Sequence, residues 1–171
     1  MLVADEDVNH LLRKRRFAGA FELVLQRYQN KVFRLAFSIL RERSRAEDAT
    51  QDTFVKFWQA LPDYDGRAAV STWLYTIARN TCLSAARAQT YRTTETLVDA
   101  LEPRAKETIS KITEVHDFLL RLPAVEREVV TLFYLQERSI RDLSQMLNMP
   151  EGTVKSHLHR ARRTLAEWME K

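Results

Sequence analysis

The stretch EGTVKSHLHRARRTL, residues 151–165, decides the fold of this chain. Its apolar side chains recur at intervals of three and four residues, which indicates one buried edge of a helix. A shorter segment with the same spacing lies just upstream, and Asn148, Met149 and Pro150 predict a turn between the two. Two helices joined by so short a turn are typical of a helix-turn-helix. The buried edges consist of Ile140, Leu143 and Leu147 in the first helix and of Val154, Leu158, Ala161 and Leu165 in the second.

The outward face of the second helix carries basic side chains, and no acidic residue lies between positions 155 and 163. In a helix-turn-helix, residues near the start of the second helix reach base edges, while later basic residues meet phosphates. A basic surface helix that is merely solvated is the simpler alternative, but it does not account for the upstream helix and turn. The candidates for base contacts are Lys155, Ser156, His159 and Arg160, and those for phosphate contacts are Arg162 and Arg163.

The rest of the chain is also predicted to be helical, since no segment keeps an apolar period of two for long. Residues 17–39 carry apolar side chains at helical spacing over about six turns. A second helix is predicted to begin at Ser44, where Glu47 would complete a capping box, and to end before Pro62.

A third helix is predicted to begin at Ser71 or Thr72 and to run to about Ala88. From residue 93 to about residue 107 the periodicity fails and the segment is polar, which predicts a linker. Helical periodicity resumes near residue 109. We therefore predict an all-α fold with two small helical domains, a bundle and a helix-turn-helix unit, joined by a flexible linker.

Composition and charge limit the class of protein. The chain has 171 residues, of which 45% are hydrophobic and 29% charged, and this suits a soluble folded protein rather than a disordered one. The net charge of +4 is modest. Two acid-free stretches, 66–94 and 155–163, nevertheless carry four basic residues each, which indicates a polyanion contacted in two places.

The single Cys82 cannot form an internal disulfide and fits a reducing compartment; it is expected to pack in a helix interface, with a redox-sensing thiol as the alternative. The N-terminal residues do not form a secretory signal, and the longest apolar run, VVTLFYL, is too short to span a bilayer, so we expect a cytoplasmic protein. No catalytic triad or phosphate-binding glycine loop is found, and we expect no enzymatic activity and no cofactor. No metal site is expected either, because His157 and His159 stand two residues apart on a helix and point in different directions.

The helix AEDATQDTFVKFWQAL carries a second stripe, opposite its aromatic side chains. Acidic residues early in a helix suit the macrodipole, which explains Glu47 and Asp48 but not the continuation of the stripe. A mixed acidic, amide and apolar surface suits a basic protein helix better than DNA. From the residues alone, the two interpretations stay open. The stripe consists of Asp48, Gln51, Asp52, Val55 and Gln59.

The third predicted helix carries two residues of interest. Trp73 is expected to pack in the core. Asn80 lies inside the helix, where an asparagine is intrinsically unfavourable, so a function in hydrogen bonding an unstacked base is favoured.

Four segments in this order, AEDATQDTFVKFW, STWLYTIARN, LPAVEREVV and EGTVKSHLHRARRTL, resemble the extracytoplasmic function (ECF) class of bacterial RNA polymerase sigma factors. The resemblance extends from Phe17 to Trp168. It implies a sigma region 2 domain at residues 1–92, a linker at residues 93–110 and a sigma region 4 helix-turn-helix domain at residues 111–171.

The resemblance also implies partners and roles. The partners are core RNA polymerase, through the coiled coil of its largest subunit and its flap, promoter DNA, and an anti-sigma factor, in this family often held at the membrane; no small-molecule substrate is implied. Residues of the acidic stripe would dock on the polymerase, a loop and two α-helical residues would bind and melt the −10 element, and the helix-turn-helix would read the −35 element. The implied polymerase contacts are Asp48, Gln51 and Asp52, and the implied −10 contacts are Tyr64, Asp65, Arg67, Asn80 and Arg87. The implied −35 contacts are Lys155, Ser156, His159, Arg160, Arg162 and Arg163.

Three departures from the family pattern and two rival functions remain. Ser84 stands where the family usually has an acid, and the segment AQTYR follows Arg87 where the family often has paired basic residues. His159 occupies a position often filled by another residue type, so −35 specificity cannot be transferred. A stand-alone helix-turn-helix regulator would bind its operator without polymerase, but it leaves the acidic stripe unexplained. A scaffold that only sequesters partners would not need two intact basic stretches.

Overall fold

The computed structural model describes residues 5–95 and 118–169, and every regular element in these two ranges is helical. This confirms the predicted all-α fold class. The first range contains α1 (Glu6–Arg13), α2 (Phe17–Leu40), α3 (Arg43–Ala60), a 3₁₀ turn (Leu61–Asp63) and α4 (Val70–Glu95). The second contains α5 (Ala124–Val130), a π-helical turn (Thr131–Leu135), α6 (Ile140–Leu147) and α7 (Glu151–Met169).

Helices α2, α3 and α4 pack around aromatic and branched side chains in the first half of the chain. Phe57 and Leu74 are fully buried at the centre. The ring of Phe21 meets the ring of Phe54 edge-on at 6.2 Å between centroids. Trp73 packs on the ring of Phe57 at 5.2 Å, in agreement with the core position expected for it.

Two helix starts differ from the sequence-based predictions. The predicted capping box at Ser44 is wrong, because α3 begins at Arg43 after Glu42 in extended backbone, and no side chain caps it. Arg41 ends α2 in the left-handed conformation (φ 60°), so the chain reverses within two residues and enters α3 early. Glu47 instead accepts a hydrogen bond from Arg43 at 2.9 Å.

Helix α4 is longer than predicted at both ends. It begins at Val70 rather than at Ser71 or Thr72, and it extends to Glu95, beyond the predicted end near Ala88. The extra turns, residues 89–95, enter the segment predicted as a linker, although three of these seven residues are threonines, which are poor helix formers. The rest of that predicted linker lies outside the described residues.

The predicted helix-turn-helix is confirmed as a fold in α6 and α7. Ser139 and Asp142 form a reciprocal capping box at the start of α6. Asn148 ends α6 in the left-handed conformation (φ 50°), and the Ser144 hydroxyl donates to the Met149 carbonyl at 2.6 Å across the turn. The two helices share a buried apolar seam, which fixes α7 relative to α6. Its fully or almost fully buried members are Leu143, Met146, Leu147, Val154, Leu158 and Ala161.

The two halves of the chain pack against each other. One continuous cluster of buried apolar residues extends from α1, α2 and α4 into α5, α6 and α7. The sequence predicted tethered domains and gave no indication of this contact. Polar side chains add hydrogen bonds and an ion pair to this contact, and such residues do not stand out in an apolar pattern.

Candidate nucleic-acid and partner surfaces

The start of α7 presents the predicted base-reading residues to solvent. The apolar edge of α7 is buried against α6, so the opposite face is directed outward. Lys155, Ser156 and His159 are exposed. Ser156 donates its hydroxyl to the Gly152 carbonyl at 2.9 Å, which fixes its rotamer and leaves oxygen lone pairs directed to solvent.

Arg160 is held by an acid that sequence reasoning missed. Its Nε lies 3.3 Å from the Oε1 of Glu126 in α5, whose side chain is only 12% exposed. Its guanidinium also lies 2.9 Å from the Nδ1 of His157. Glu126 is far away in sequence from the acid-free stretch, so only the fold brings the two together. The contact orients Arg160 before any ligand binds.

Arg162 packs on an aromatic pair from the π-helical turn. Its guanidinium lies 5.4 Å from the ring centre of Tyr134 and donates a hydrogen bond to the Tyr134 hydroxyl. Arg163 lies 3.7 Å from Glu167 one turn further along α7. Within the described ranges, no hydrogen bond or ion pair joins the side chains of Lys155 and His159 to other residues. These two are therefore the readiest to meet a ligand.

The predicted −10 loop is preformed. The Tyr64 hydroxyl donates to the Ala68 carbonyl at 2.6 Å, and its ring lies 5.0 Å from the ring of Trp73. Asp65 pairs with Arg67 at 3.1 Å, and the Arg67 side chain is 89% exposed. Gly66 has a φ of +75°, a conformation that side chains rarely adopt, so it sets the turn.

Asn80 lines a shallow groove between α3 and α4 with an open volume of about 280 Å³. The floor includes Lys56, whose ammonium donates to the Thr81 hydroxyl at 3.2 Å. Lys56 was missed by sequence reasoning because it stands next to the aromatic side of α3. Arg87 is exposed two helical turns beyond Asn80 on α4. None of the three predicted loop residues lines this groove, because they precede α4, so the −10 candidates lie at two separate places, in the loop before α4 and on α4 itself.

The acidic stripe of α3 borders an apolar groove. Asp48, Gln51 and Asp52 are all exposed, and no cation among the described residues pairs with either aspartate. The adjoining groove, between α2 and α3, has a volume of about 600 Å³ and is bordered by Gln51. Val55 and Trp58 in its wall are 54% and 44% exposed. Large apolar side chains left in solvent beside unpaired acids mark a protein-binding surface rather than a DNA-binding one.

The described residues give no indication of a membrane span or a metal site. Among the described helices, none combines the length and apolarity that crossing a bilayer requires. The described ranges also contain no group of three or more histidine, cysteine or acidic side chains arranged to hold a metal ion. Cys82 is buried in the helix interface, and burial raises the pKa of its thiol to about 12.

Comparison with known proteins matches both halves of the chain. The family model described as Sigma-70 region 2 matches residues 24–92, and the one described as Sigma-70, region 4 matches residues 112–165. The chain is 36% identical over 149 residues to the ECF RNA polymerase sigma factor SigM of Mycobacterium tuberculosis, covering 86% of this chain and 76% of that protein. It is 30% identical over 148 residues to the ECF RNA polymerase sigma factor SigM of Bacillus subtilis, covering 83% and 90%.

A solved structure is also similar. The sigma factor RpoE of Bartonella quintana, crystallised in complex with the anti-sigma factor NepR, superposes with a TM-score of 0.75 at 25% sequence identity. The match covers 88% of this chain and 96% of that one. CnrH, solved in complex with the cytosolic domain of CnrY, matches with a TM-score of 0.70 at 23% identity and supports the fold alone.

Proposed function

Because this chain belongs to the ECF class of the sigma-70 family, we propose that it binds core RNA polymerase, directs it to promoters through their −10 and −35 elements, and helps to melt the −10 DNA. The observation that carries the proposal is the combination of two unlike surfaces on one chain. Helix α3 presents unpaired acids beside an apolar groove, and α7 presents basic and polar side chains on a helix-turn-helix. A stand-alone DNA-binding regulator needs only the second.

The polymerase is proposed to dock on the stripe of α3. Asp48, Gln51 and Asp52 would face a basic helix of the coiled coil in the largest subunit, and Trp58 would enter the contact from the groove. Complementary charge sets orientation and association rate, while a partly exposed tryptophan supplies the apolar anchor that interfaces favour. The polymerase flap is proposed to contact the region 4 half.

Promoter DNA is proposed to contact both halves. At the −35 element, Lys155, Ser156, His159 and Arg160 would reach base edges in the major groove. Arg162 and Arg163 would meet phosphates. The pairing of Arg160 with Glu126 pre-orients its guanidinium, so less side-chain entropy is lost when it binds a base.

At the −10 element, the loop residues Tyr64, Asp65 and Arg67 are proposed to hold a flipped base of the non-template strand. Asn80 would hydrogen bond to that strand within the groove of α3 and α4, and Arg87 would follow its backbone. Unstacking a base costs a few kcal/mol, which capture in a preformed protein pocket can offset. This is DNA opening by binding energy and requires no covalent step.

Control by an anti-sigma factor is part of the proposal. The 25%-identical RpoE of Bartonella quintana was crystallised with such a protein, and its fold covers most of this chain. An anti-sigma factor that covered the α3 groove would block the polymerase at the surface proposed here.

Charge reversal tests the polymerase surface. Asp48→Lys combined with Asp52→Lys should weaken binding to purified core polymerase about tenfold or more, because two attractive contacts become repulsive. The matched control is Glu6→Lys with Asp63→Lys, which makes the same change in net charge at exposed acids elsewhere. Affinity measured by fluorescence anisotropy should fall only in the first variant. Equal affinity of both variants would exclude the α3 stripe as the docking surface.

The DNA half of the proposal has a separate test. Lys155→Ala with Arg160→Ala should reduce transcription from a −35-dependent promoter while the affinity for core polymerase stays unchanged. Tight promoter binding and no polymerase binding by the wild-type chain would instead favour the stand-alone regulator.

A further inference from the structure

An ion pair joins the two halves of the chain between α4 and α5. The Arg79 Nε donates to the Glu128 Oε1 at 2.6 Å, and a second guanidinium nitrogen lies 3.5 Å from Oε2. The two side chains are 19% and 9% exposed. This two-pronged contact has the geometry with which arginine binds planar carboxylates and phosphates.

A network of neutral and charged groups continues the same junction along α4. Gln136 is fully buried; its Oε1 accepts from the Tyr75 hydroxyl at 2.7 Å, and its Nε2 donates to the Lys31 carbonyl at 3.2 Å. Arg138 donates to the Ser71 hydroxyl at 2.7 Å and lies 5.0 Å above the ring of Tyr75. The surface of α4 that faces the second half is therefore polar at almost every turn.

The polar contacts of this junction lie beside the shared apolar cluster, and they fix the arrangement of the halves more than they stabilise it. Burial raises the pKa of the Glu128 carboxyl above its ordinary value, although Arg79 and Arg127 act in the opposite direction. The desolvation of a buried ion pair offsets most of its attraction, so such pairs contribute less to stability than their short distances suggest. Another anion that offers Arg79 the same geometry can therefore compete.

The position of Arg79 identifies the competing anion. It precedes Asn80 directly on α4, and Arg87 lies two turns further on, so the three residues lie on adjoining faces of one helix. Asn80 and Arg87 are exposed and belong to the proposed −10 surface, whereas Arg79 is covered by Glu128. A DNA strand that follows α4 past Asn80 would bring a phosphate to the place where the Glu128 carboxylate now lies.

We propose that Arg79 is a contact for promoter phosphate and that Glu128 occupies it while the two halves are packed together. Phosphate and carboxylate then compete for one guanidinium, and engagement of DNA by Arg79 requires the second half to leave α4. The inference rests on the proposed function, since it places Arg79 on the same −10 surface. The inference adds Arg79 as a DNA contact and Glu128 as the group that blocks this contact in the packed protein.

The first experiment tests, in the free protein, whether the Arg79–Glu128 ion pair holds the two halves together; we call this ion pair the lock. Glu128→Lys places a cation against Arg79 and should separate the halves, raising the radius of gyration in small-angle X-ray scattering above the roughly 16 Å expected for a compact chain of this length. Binding of the free protein to a single-stranded −10 oligonucleotide should tighten about tenfold, because the binding-competent fraction increases. The control, Glu137→Lys, adds the same charge at an exposed position beside the junction and should leave the radius unchanged. A compact Glu128→Lys variant with wild-type affinity overturns the competition.

The second experiment tests the phosphate contact in the complex with core polymerase. Arg79→Ala should weaken binding to single-stranded −10 DNA and lower the slope of log K against log salt by about 0.7, the value for one phosphate on a single strand. Arg34→Ala, which removes an exposed arginine from α2, should leave the slope unchanged. An unchanged slope for Arg79→Ala overturns the contact.

A charge swap separates the two roles. Arg79→Glu with Glu128→Arg should restore the compact radius and still bind the −10 strand as weakly as Arg79→Ala. Recovery of wild-type DNA affinity by the swap would refute a direct phosphate contact. If the wild-type complex with polymerase fails to bind the promoter at all, the proposed function is wrong, and the scattering results still report on the lock.

Discussion

Replacing Gln136 by methionine should destabilise the packed protein, because its amide joins the two halves inside the fold. The side chain is fully buried and hydrogen bonds to the Tyr75 hydroxyl and the Lys31 carbonyl. Methionine has a similar length and volume, so Gln136→Met creates little cavity and removes mainly the polar contacts. The perturbation therefore isolates the amide.

The magnitude follows from the partners that remain. The Lys31 carbonyl lies within α2 and keeps its hydrogen bond in the helix, so removing the Gln136 donor costs this carbonyl little. The Tyr75 hydroxyl is fully buried and loses its acceptor. A buried polar group left without a partner costs about 1–3 kcal/mol. We expect a decrease of about 2–3 kcal/mol in the free energy of unfolding.

Urea denaturation followed by circular dichroism measures this change. With a slope of about 2 kcal/mol per molar urea, the transition midpoint should fall by about 1–1.5 M. The matched control is Gln145→Met on the exposed side of α6, which should change stability by less than about 0.5 kcal/mol.

A double-mutant cycle provides the result that would refute the reasoning. Tyr75→Phe alone should cost about 1–2 kcal/mol, because the Gln136 oxygen loses its donor. In the double variant no orphaned hydroxyl remains, so the combined loss should be clearly smaller than the sum of the two single losses. Additive losses would mean that the two groups do not depend on each other, and the assignment of the penalty to the Tyr75 hydroxyl would be wrong.

Three other predictions concern local features. Ser139→Ala should lower the free energy of unfolding by about 1 kcal/mol in urea denaturation, because α6 loses its capping box with Asp142. The hydrogen bond from Arg27 lowers the pKa of Asp7 to about 2. The stability that this carboxylate contributes is therefore present above its unfolded pKa near 4 and is lost as the pH falls toward 2. Asp7→Asn should remove that part of the acid dependence, measured as the thermal midpoint against pH. Cys82 should react with iodoacetamide at pH 8 only after denaturation, since its thiol is buried with a pKa of about 12, and rapid labelling of the native protein would favour a redox-sensing thiol.

Local signals in the sequence predicted the elements of the second half well. Apolar spacing and the Asn148-Met149-Pro150 turn identified α6 and α7 because both depend on residues close together in the chain. The predicted cap at Ser44 failed because a left-handed Arg41, which no sequence pattern marks, moved the start of α3. The end of α4 was missed because residues 89–95 carry no apolar stripe in the sequence.

Contacts between distant residues could not be predicted. Arg79 and Glu128 are 49 residues apart, and Gln136 reaches a carbonyl 105 residues away. Each of these side chains is polar, and a polar side chain in an amphipathic pattern is ordinarily assigned to solvent. The same reason hid Glu126, which binds Arg160 from a different helix. Exposure of the predicted polymerase and −35 residues, in contrast, followed from their position opposite the apolar edges of α3 and α7.

The two interfaces of the second half differ in chemistry, and the difference suits the proposed function. The seam between α6 and α7 is apolar, and contact with water cannot replace the burial of its side chains. The helix-turn-helix therefore stays folded when it separates from α4. The junction with α4 combines part of the shared apolar cluster with hydrogen bonds and an ion pair that water or phosphate can satisfy. Separating the halves there exchanges the polar contacts at a net cost of about 1 kcal/mol for each, and it also exposes apolar side chains to water. Under the proposed function, this division would release α4 to DNA while the proposed −35 surface on α7 remains intact.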